Sequence, residues 1–285
     1  MRITEPPFDA HLDTTIWRAE LGLDYERRGP RTVLASRRHI GPLVVQKPLY
    51  PEGDAVCHSI VVHPPAGIAG GDQLEIHARV GENAQVLLTT PGAGKWYGSA
   101  GPWAQQHIRF EVAAGACLEW LPQETIVFDG ALAALQNVIE LAPGAHYIGW
   151  EILCFGRTGS GEQVTRGACH VHTTLIRAGR PLWLERGQVA AGGNLAQSEA
   201  GLDGKPVCAT LVATANSENI ELLEACRTVS AAEGNVSVTR LPGLLVARYL
   251  GMSSEAARHY FMALWAQWRP MVIGRQAVVP RIWRT

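Results

Sequence analysis

His170 and His172 sit two apart in an alternating segment, so a strand would place both rings on one face. Two imidazole nitrogens on one face can ligate zinc or nickel, with Cys169 turned the other way. The same pair reads equally as surface or network-forming histidines. His58 and His63, five apart, fall on opposite strand faces and offer no such spacing. Carboxylates are more numerous: Asp72, Glu75, Glu119, Glu124, Asp129, Glu151 and Glu185 are spread along the β-rich part of the chain. Two of them, if folded together, could serve as acid and base of a glycoside hydrolase. Spacing alone does not set their separation, and solvated carboxylates are the plainer reading.

Other chemistries are excluded by pattern. The Pro91–Trp103 loop contains Gly94-Lys95, but Trp96 follows where a phosphate-binding loop needs Ser or Thr, and Thr89 stands where its first glycine belongs. Tyr97 takes the place of the last glycine of a dinucleotide fingerprint. There is no GxSxG, and no cysteine has a nucleophile context. The six cysteines, Cys57, Cys117, Cys154, Cys169, Cys208 and Cys226, form no CxxC pair and read as buried free thiols.

Composition sets the frame. A chain of 285 residues that is 47% hydrophobic can bury a sizeable core, as one large all-β domain or two smaller ones. A formal net charge of −1 argues against a general nucleic-acid binder. Arg27, Arg28, Arg31, Arg37 and Arg38 make a local basic cluster, read as a solvated surface or a contact for an acidic partner. No apolar run is long enough to span a membrane. The segment MRITEPPFDAHLD has prolines and acids where a secretion signal needs an apolar core, so the expectation is cytoplasmic. Residues 1–12 read as a poorly ordered lead-in.

The elements that must position these groups are mostly strands. Leu74, Ile76, Ala78 and Val80 alternate with Gln73, Glu75, His77 and Arg79, the signature of a half-buried strand. The join Val80-Gly-Glu-Asn-Ala84 recurs as Val112-Ala-Ala-Gly-Ala116 and Leu141-Ala-Pro-Gly-Ala145, at roughly 30-residue spacing that suggests stacked units. Ordinary hairpins would use the same turns. Thr15–Arg27, and 107–112 with 116–121, read as strand pairs. Two hairpins are expected, around Ala178–Pro181 and around Pro242-Gly243. Gly67, Gly70 and Gly71 would let backbone approach another surface closely. Two segments change to helical period. Ser217–Val229 would be capped by Ser217, with Glu218 and Glu221 at its positive end. A second helix, capped by Ser253 or Ser254 and stopped by Pro270, loads Tyr260, Phe261, Leu264, Trp265 and Trp268 on one side. That face either packs on the sheet or docks a partner. The fold expected is a single, mainly β domain over 1–285, of stacked strands or hairpins (β-helix-like or sandwich-like), with two α-helices in its C-terminal half.

Five motifs in order, Gly70-Gly71-Asp72, Leu88-Thr-Thr-Pro91 with Lys95 and Tyr97, Leu121-Pro-Gln-Glu124, Arg248-Tyr-Leu250 and Pro280-Arg-Ile-Trp283, resemble the urease accessory protein UreD family, called UreH in some organisms. The resemblance implies a non-enzymatic scaffold that binds apo-urease and recruits UreF and the GTPase UreG for nickel insertion at a lysine that becomes carbamylated. It also implies an internal tunnel for transient nickel, with no tightly bound cofactor. A partner GTPase would explain the missing phosphate loop. A transit route should hold a cation weakly, through water and scattered carboxylates. On this reading Asp72, flanked by glycines, and Glu185, within Trp183-Leu-Glu-Arg186, would line the route. Their alternatives are a turn-capping carboxylate and an ion pair with an arginine. The C-terminal region Ser253–Trp283, with Tyr260, Trp265, Trp268, Arg281 and Trp283, would face UreF. A β-helical carbohydrate-active hydrolase, and metal storage through His170 and His172, stand as the competing functions.

Overall fold

The computed structural model describes residues 17–215 and 220–284. The proposed lead-in, Ser217 and Glu218 lie outside the described residues. Strand β1 (Arg18–Arg28) pairs antiparallel with β2 (Arg31–Ile40), and β3 (Val44–Val45) with β4 (Val56–Val62). The expected strand pair over Thr15–Arg27 is not found: its described residues from Arg18 onward belong to the single strand β1.

The chain then winds in coils. After β5 (Gln73–Val80) come β6 (Gln85–Thr89), β7 (Gly94–Trp96) and β8 (Ala104–Val112). They are followed by β9 (Cys117–Leu121), β10 (Thr125–Val127) and β11 (Leu132–Leu141), then β12 (His146–Phe155) and β13 (Ala168–Arg177). Strand β14 (Arg180–Ala190), the helical turn α1 (Asn194–Gln197), β15 (Val207–Thr214), α2 (Ile220–Arg227), β16 (Asn235–Leu241), β17 (Leu244–Gly251) and α3 (Ser254–Ile273) complete it. A seven-stranded sheet runs β14-β13-β11-β8-β5-β1-β2 and faces a ten-stranded sheet whose main path is β16-β17-β15-β12-β9-β6-β4-β3. Strands β7 and β10 form a short third face, parallel to each other and to the end of β12.

The three repeated joins are the corners of this solenoid. Asn83, Gly115 and Gly144 occupy the same place in each and all have positive φ, at 57°, 67° and 73°. That conformation favours Gly and Asn, which is why they recur there. The corners stack: Ala113 N donates to Val80 O and Ala142 N to Val112 O, both at 2.9 Å. Val80, Val112 and Leu141 lie in one parallel register, and the corner alanines Ala84, Ala116 and Ala145 are buried. Strands on either side of a corner belong to opposite sheets. So 107–112 and 116–121 are not a pair: β8 bonds β5 and β11, while β9 bonds β6 and β12. A two-residue pattern cannot separate a hairpin from a coil, because both bury alternate side chains. The two expected hairpins, β13–β14 and β16–β17, are antiparallel.

Helix α3 covers the outer face of the ten-stranded sheet, packing on β12, β15 and β17. Ser253 caps it, accepting from Ala256 N at 3.1 Å. Pro270 does not stop the helix, which continues to Ile273 and ends at Gly274 in the left-handed conformation. One buried cation locks it down. Arg269 is fully buried, and its Nε donates to Glu119 Oε1 at 2.7 Å while Nη1 reaches Glu52 Oε2 at 2.7 Å. His58 Nε2 adds a 2.6 Å contact to Glu52, and Trp265 Nε1 a 3.1 Å bond to Glu119. A buried guanidinium between two carboxylates satisfies its charge inside the fold. The basic cluster is also largely spent locally. Arg27 and Arg37 bind backbone carbonyls, Arg28 binds Glu26, and Arg31 lies 4.3 Å from the Tyr50 ring centre.

Candidate functional site

Inward-facing side chains follow from alternation. On β12 these are Tyr147, Gly149 and Glu151; on β11 Asn137 and Ile139; on β13 Thr173 and Leu175; on β8 Ile108 and Phe110. All line a cavity of about 320 Å³ between the sheets. In the ten-stranded sheet its walls pass from Val61 on β4, over Trp120 on β9 and β12, to Thr210 on β15. Those strands, with β6, span four steps of about 4.8 Å, so the cavity extends roughly 20 Å along the solenoid axis. The middle is apolar. The Thr90–Lys95 turn and Gln123 line it from the third face. Gly149 makes room within: an added Cβ would stand 2.0 Å from the Tyr147 hydroxyl.

The far end is polar. Glu151 on β12 and Glu185 on β14 both line it, from opposite sheets, with Asn137, Thr173 and Thr210. Burial, then the charge of Glu185, pushes the Glu151 carboxyl up to about 7, against the pull of Asn137. Asn137 Nδ2 donates to Thr173 Oγ1 at 3.0 Å, while its buried Oδ1 has no hydrogen-bond partner among the described residues. Thr210 Oγ1 donates to Glu185 at 3.3 Å, and Arg248 on β17 forms an ion pair with the same carboxylate. Two carboxylates, an amide and hydroxyls are a hard oxygen set, suited to holding a divalent cation loosely through water. Among the described residues no group of three or more His, Cys, Asp and Glu is arranged to cage a metal. The two carboxylates face the solenoid interior. A glycan-cleaving pair would need them in a groove open to a polymer.

The sequence-level candidates separate clearly. Glu185 lines the cavity and also makes the arginine pair that was its alternative. Asp72 does not line it. Its Oδ2 accepts from Ala69 N at 2.8 Å, capping the glycine turn. His170 and His172 do share a face, but the outer one, because Cys169, Val171, Thr173 and Leu175 take the inner positions of β13. His170 packs on Trp103 with ring centres 4.6 Å apart. His172 Nε2 accepts from Arg186 at 3.3 Å, and burial and that guanidinium hold its pKa below the usual range. A metal ion at this pair would meet the Arg186 guanidinium, and among the described residues no further His, Cys, Asp or Glu joins the pair to make three ligands. Tyr260, Trp265 and Trp268, expected to face a partner, are 2%, 0% and 0% exposed and pack on the sheet, so they present no surface in this conformation. Arg281 is exposed. Trp283 is partly buried, 5.5 Å from Trp150 between ring centres, and donates to Thr89 Oγ1 at 2.8 Å.

Sequence reasoning named Glu151 only as one of seven scattered carboxylates and passed over Asn137 and Thr210. The available signal was an acid at an inward position of β12, two residues after an interior glycine. The glycine-rich run behaves as expected: a Cβ at Gly67 would meet the Tyr97 ring at 2.0 Å, and one at Gly70 the Ser99 hydroxyl at 2.2 Å. No described helix is long and apolar enough to cross a membrane.

The chain is similar to curated proteins over nearly its whole length. It is 56% identical over 269 residues to the urease accessory protein UreD of Azoarcus sp. (strain BH72), covering 94% of each chain. It is 52% identical over 273 residues to that of Dechloromonas aromatica (strain RCB), covering 94% of this chain and 95% of the relative. Against the protein of Pseudomonas fluorescens (strain Pf-5) it is 50% identical over 280 residues, covering 98% and 99%. The family model described as UreD urease accessory protein matches residues 18–284, which include the whole solenoid, its polar cavity and α3. The chain belongs to the UreD urease accessory protein family.

Proposed function

We propose that this chain is a non-catalytic scaffold for urease maturation in the cytoplasm. It binds apo-urease, engages UreF and through it the GTPase UreG, and lets nickel pass along the axial cavity toward the urease active site. Nickel is cargo here, held transiently. The observation that supports this reading is the cavity itself: an apolar passage between the sheets that ends on Glu151 and Glu185. A hard, water-sharing oxygen set binds a divalent ion without trapping it. A UreF contact at the exposed C-terminal surface around Arg281 belongs to the same proposal.

Co-expression of the chain with urease subunits, UreF and UreG, followed by tagged pull-down and urease assay, tests it. The proposal expects co-purification and urease activity that depends on the chain. Full activity without the chain, with folded partners present, would overturn it.

A further inference from the structure

Arg248 stands where the polar end of the cavity meets solvent. It lies on β17 of the ten-stranded sheet, while Glu185 and Trp183 lie on β14 of the seven-stranded one. Its Nη1 reaches both the Glu185 carboxylate and Thr210 Oγ1, the latter at 2.7 Å, and the guanidinium carbon lies 5.3 Å from the Trp183 ring centre. Glu185, Thr210 and Trp183 line the cavity; Arg248 does not. One side chain therefore bridges the two sheets and covers a cavity carboxylate from outside.

We infer that Arg248 is a displaceable latch: its guanidinium occupies Glu185 in place of a metal cation, and a divalent ion gains that carboxylate only by displacing it. This inference rests on the transit reading above. The pair is half open to water, with 46% of the Arg248 side chain and 22% of the Glu185 side chain exposed. Pairs of that kind are weak, so a competing ion can open it. Trp183 and Thr210 hold the guanidinium alongside Glu185, and those contacts keep it near for reclosure when the carboxylate is taken. While the latch is closed, the carboxylate's charge is matched and weakly binding ions such as magnesium are not retained. Nickel, which binds oxygen and nitrogen donors more tightly than magnesium, crosses that threshold first. The latch thus sets which ions reach Glu185 and how tightly they stay.

Titration of the full-length chain with nickel chloride and magnesium chloride tests this, using the wild type, Arg248→Gln, Glu185→Gln and the double variant. Arg248→Gln is expected to bind nickel at least tenfold more tightly than the wild type and to narrow the nickel-to-magnesium preference. Glu185→Gln should abolish that gain in the double variant. Unchanged nickel affinity in Arg248→Gln, or a gain that persists without Glu185, would overturn the latch. Failure of the transit reading is separate: it would appear as normal urease activation by Glu185→Gln in the assembled complex, whatever the titrations give.

Discussion

Glu151 and Glu185 stand in opposite sheets at one end of the same cavity, and the charge of Glu185 adds to burial in lifting the Glu151 carboxyl to about 7. A carboxyl that is raised on folding costs stability as it ionises. Between the ordinary glutamate range and about 7 the native state binds the extra proton, so stability falls as pH rises through that window and levels off above it. Glu151→Gln is expected to unfold like the wild type at pH 5 and to be about 1–3 kcal/mol more stable at pH 8. Urea denaturation at the two pH values checks this. Equal stability of the two proteins at pH 8 would refute the raised carboxyl.

The same ionisation links metal to protons. A divalent ion at this end binds the carboxylate form of Glu151. Nickel affinity should therefore rise between pH 6 and pH 8, with proton release near pH 7. Calorimetry in buffers of different ionisation enthalpy measures the protons released, and Glu151→Gln should lose most of them.

Arg269 holds α3 to the sheet through Glu119 and Glu52. Truncating Glu119 leaves the buried Arg269 Nε and Trp265 Nε1 without their acceptor and removes one of the two carboxylates facing the guanidinium. Glu119→Ala is expected to cost about 3–5 kcal/mol. Replacing Arg269 by Met together with Glu119→Leu and Glu52→Gln should recover much of that loss, because no buried charge is then left without its partner. Thermal denaturation reads both.

Gly149 lines the cavity against the Tyr147 ring. Gly149→Val puts atoms where the Tyr147 ring lies, so the ring must move into the cavity or the strand must shift. Overpacking of this kind costs about 1–3 kcal/mol. In the assembled complex it should slow nickel-dependent urease activation more than its stability loss explains. The comparison is with a β-sheet variant of equal stability whose side chain does not line the cavity, such as Val80→Ala.

His172→Ala removes an imidazole that faces outward beside Arg186. Nickel affinity and urease activation should be unchanged within twofold. A tenfold loss of nickel affinity in this variant would restore the histidine pair as a metal site.

Much of this architecture is legible in the sequence because solenoid corners are local. Asn83, Gly115 and Gly144 announce themselves by residue type and spacing, and the capping Ser253 does the same for α3. What alternation does not carry is which sheet a strand joins, so β8 and β9 read as a pair although they never bond. It also gives two faces without saying which is inside. His170 and His172 were correctly placed together, yet the inner face went to Thr173 and its neighbours. The aromatic face of α3 was legible, but the sheet it packs on was not. Of the two readings of that face, packing on the sheet and docking a partner, Trp265 and Trp268 take the first. Glu151 was visible as a carboxylate among several; only the coil that brings β12 against β14 pairs it with Glu185.

The most direct test uses the complex with urease, UreF and UreG, carrying the Glu151→Ala/Glu185→Ala double variant. Nickel bound per urease active site is measured after purification, alongside the amount of each partner retained. Passage of nickel through this cavity predicts unchanged partner content and at least a tenfold drop in urease nickel. Wild-type nickel content with the complex intact would contradict it.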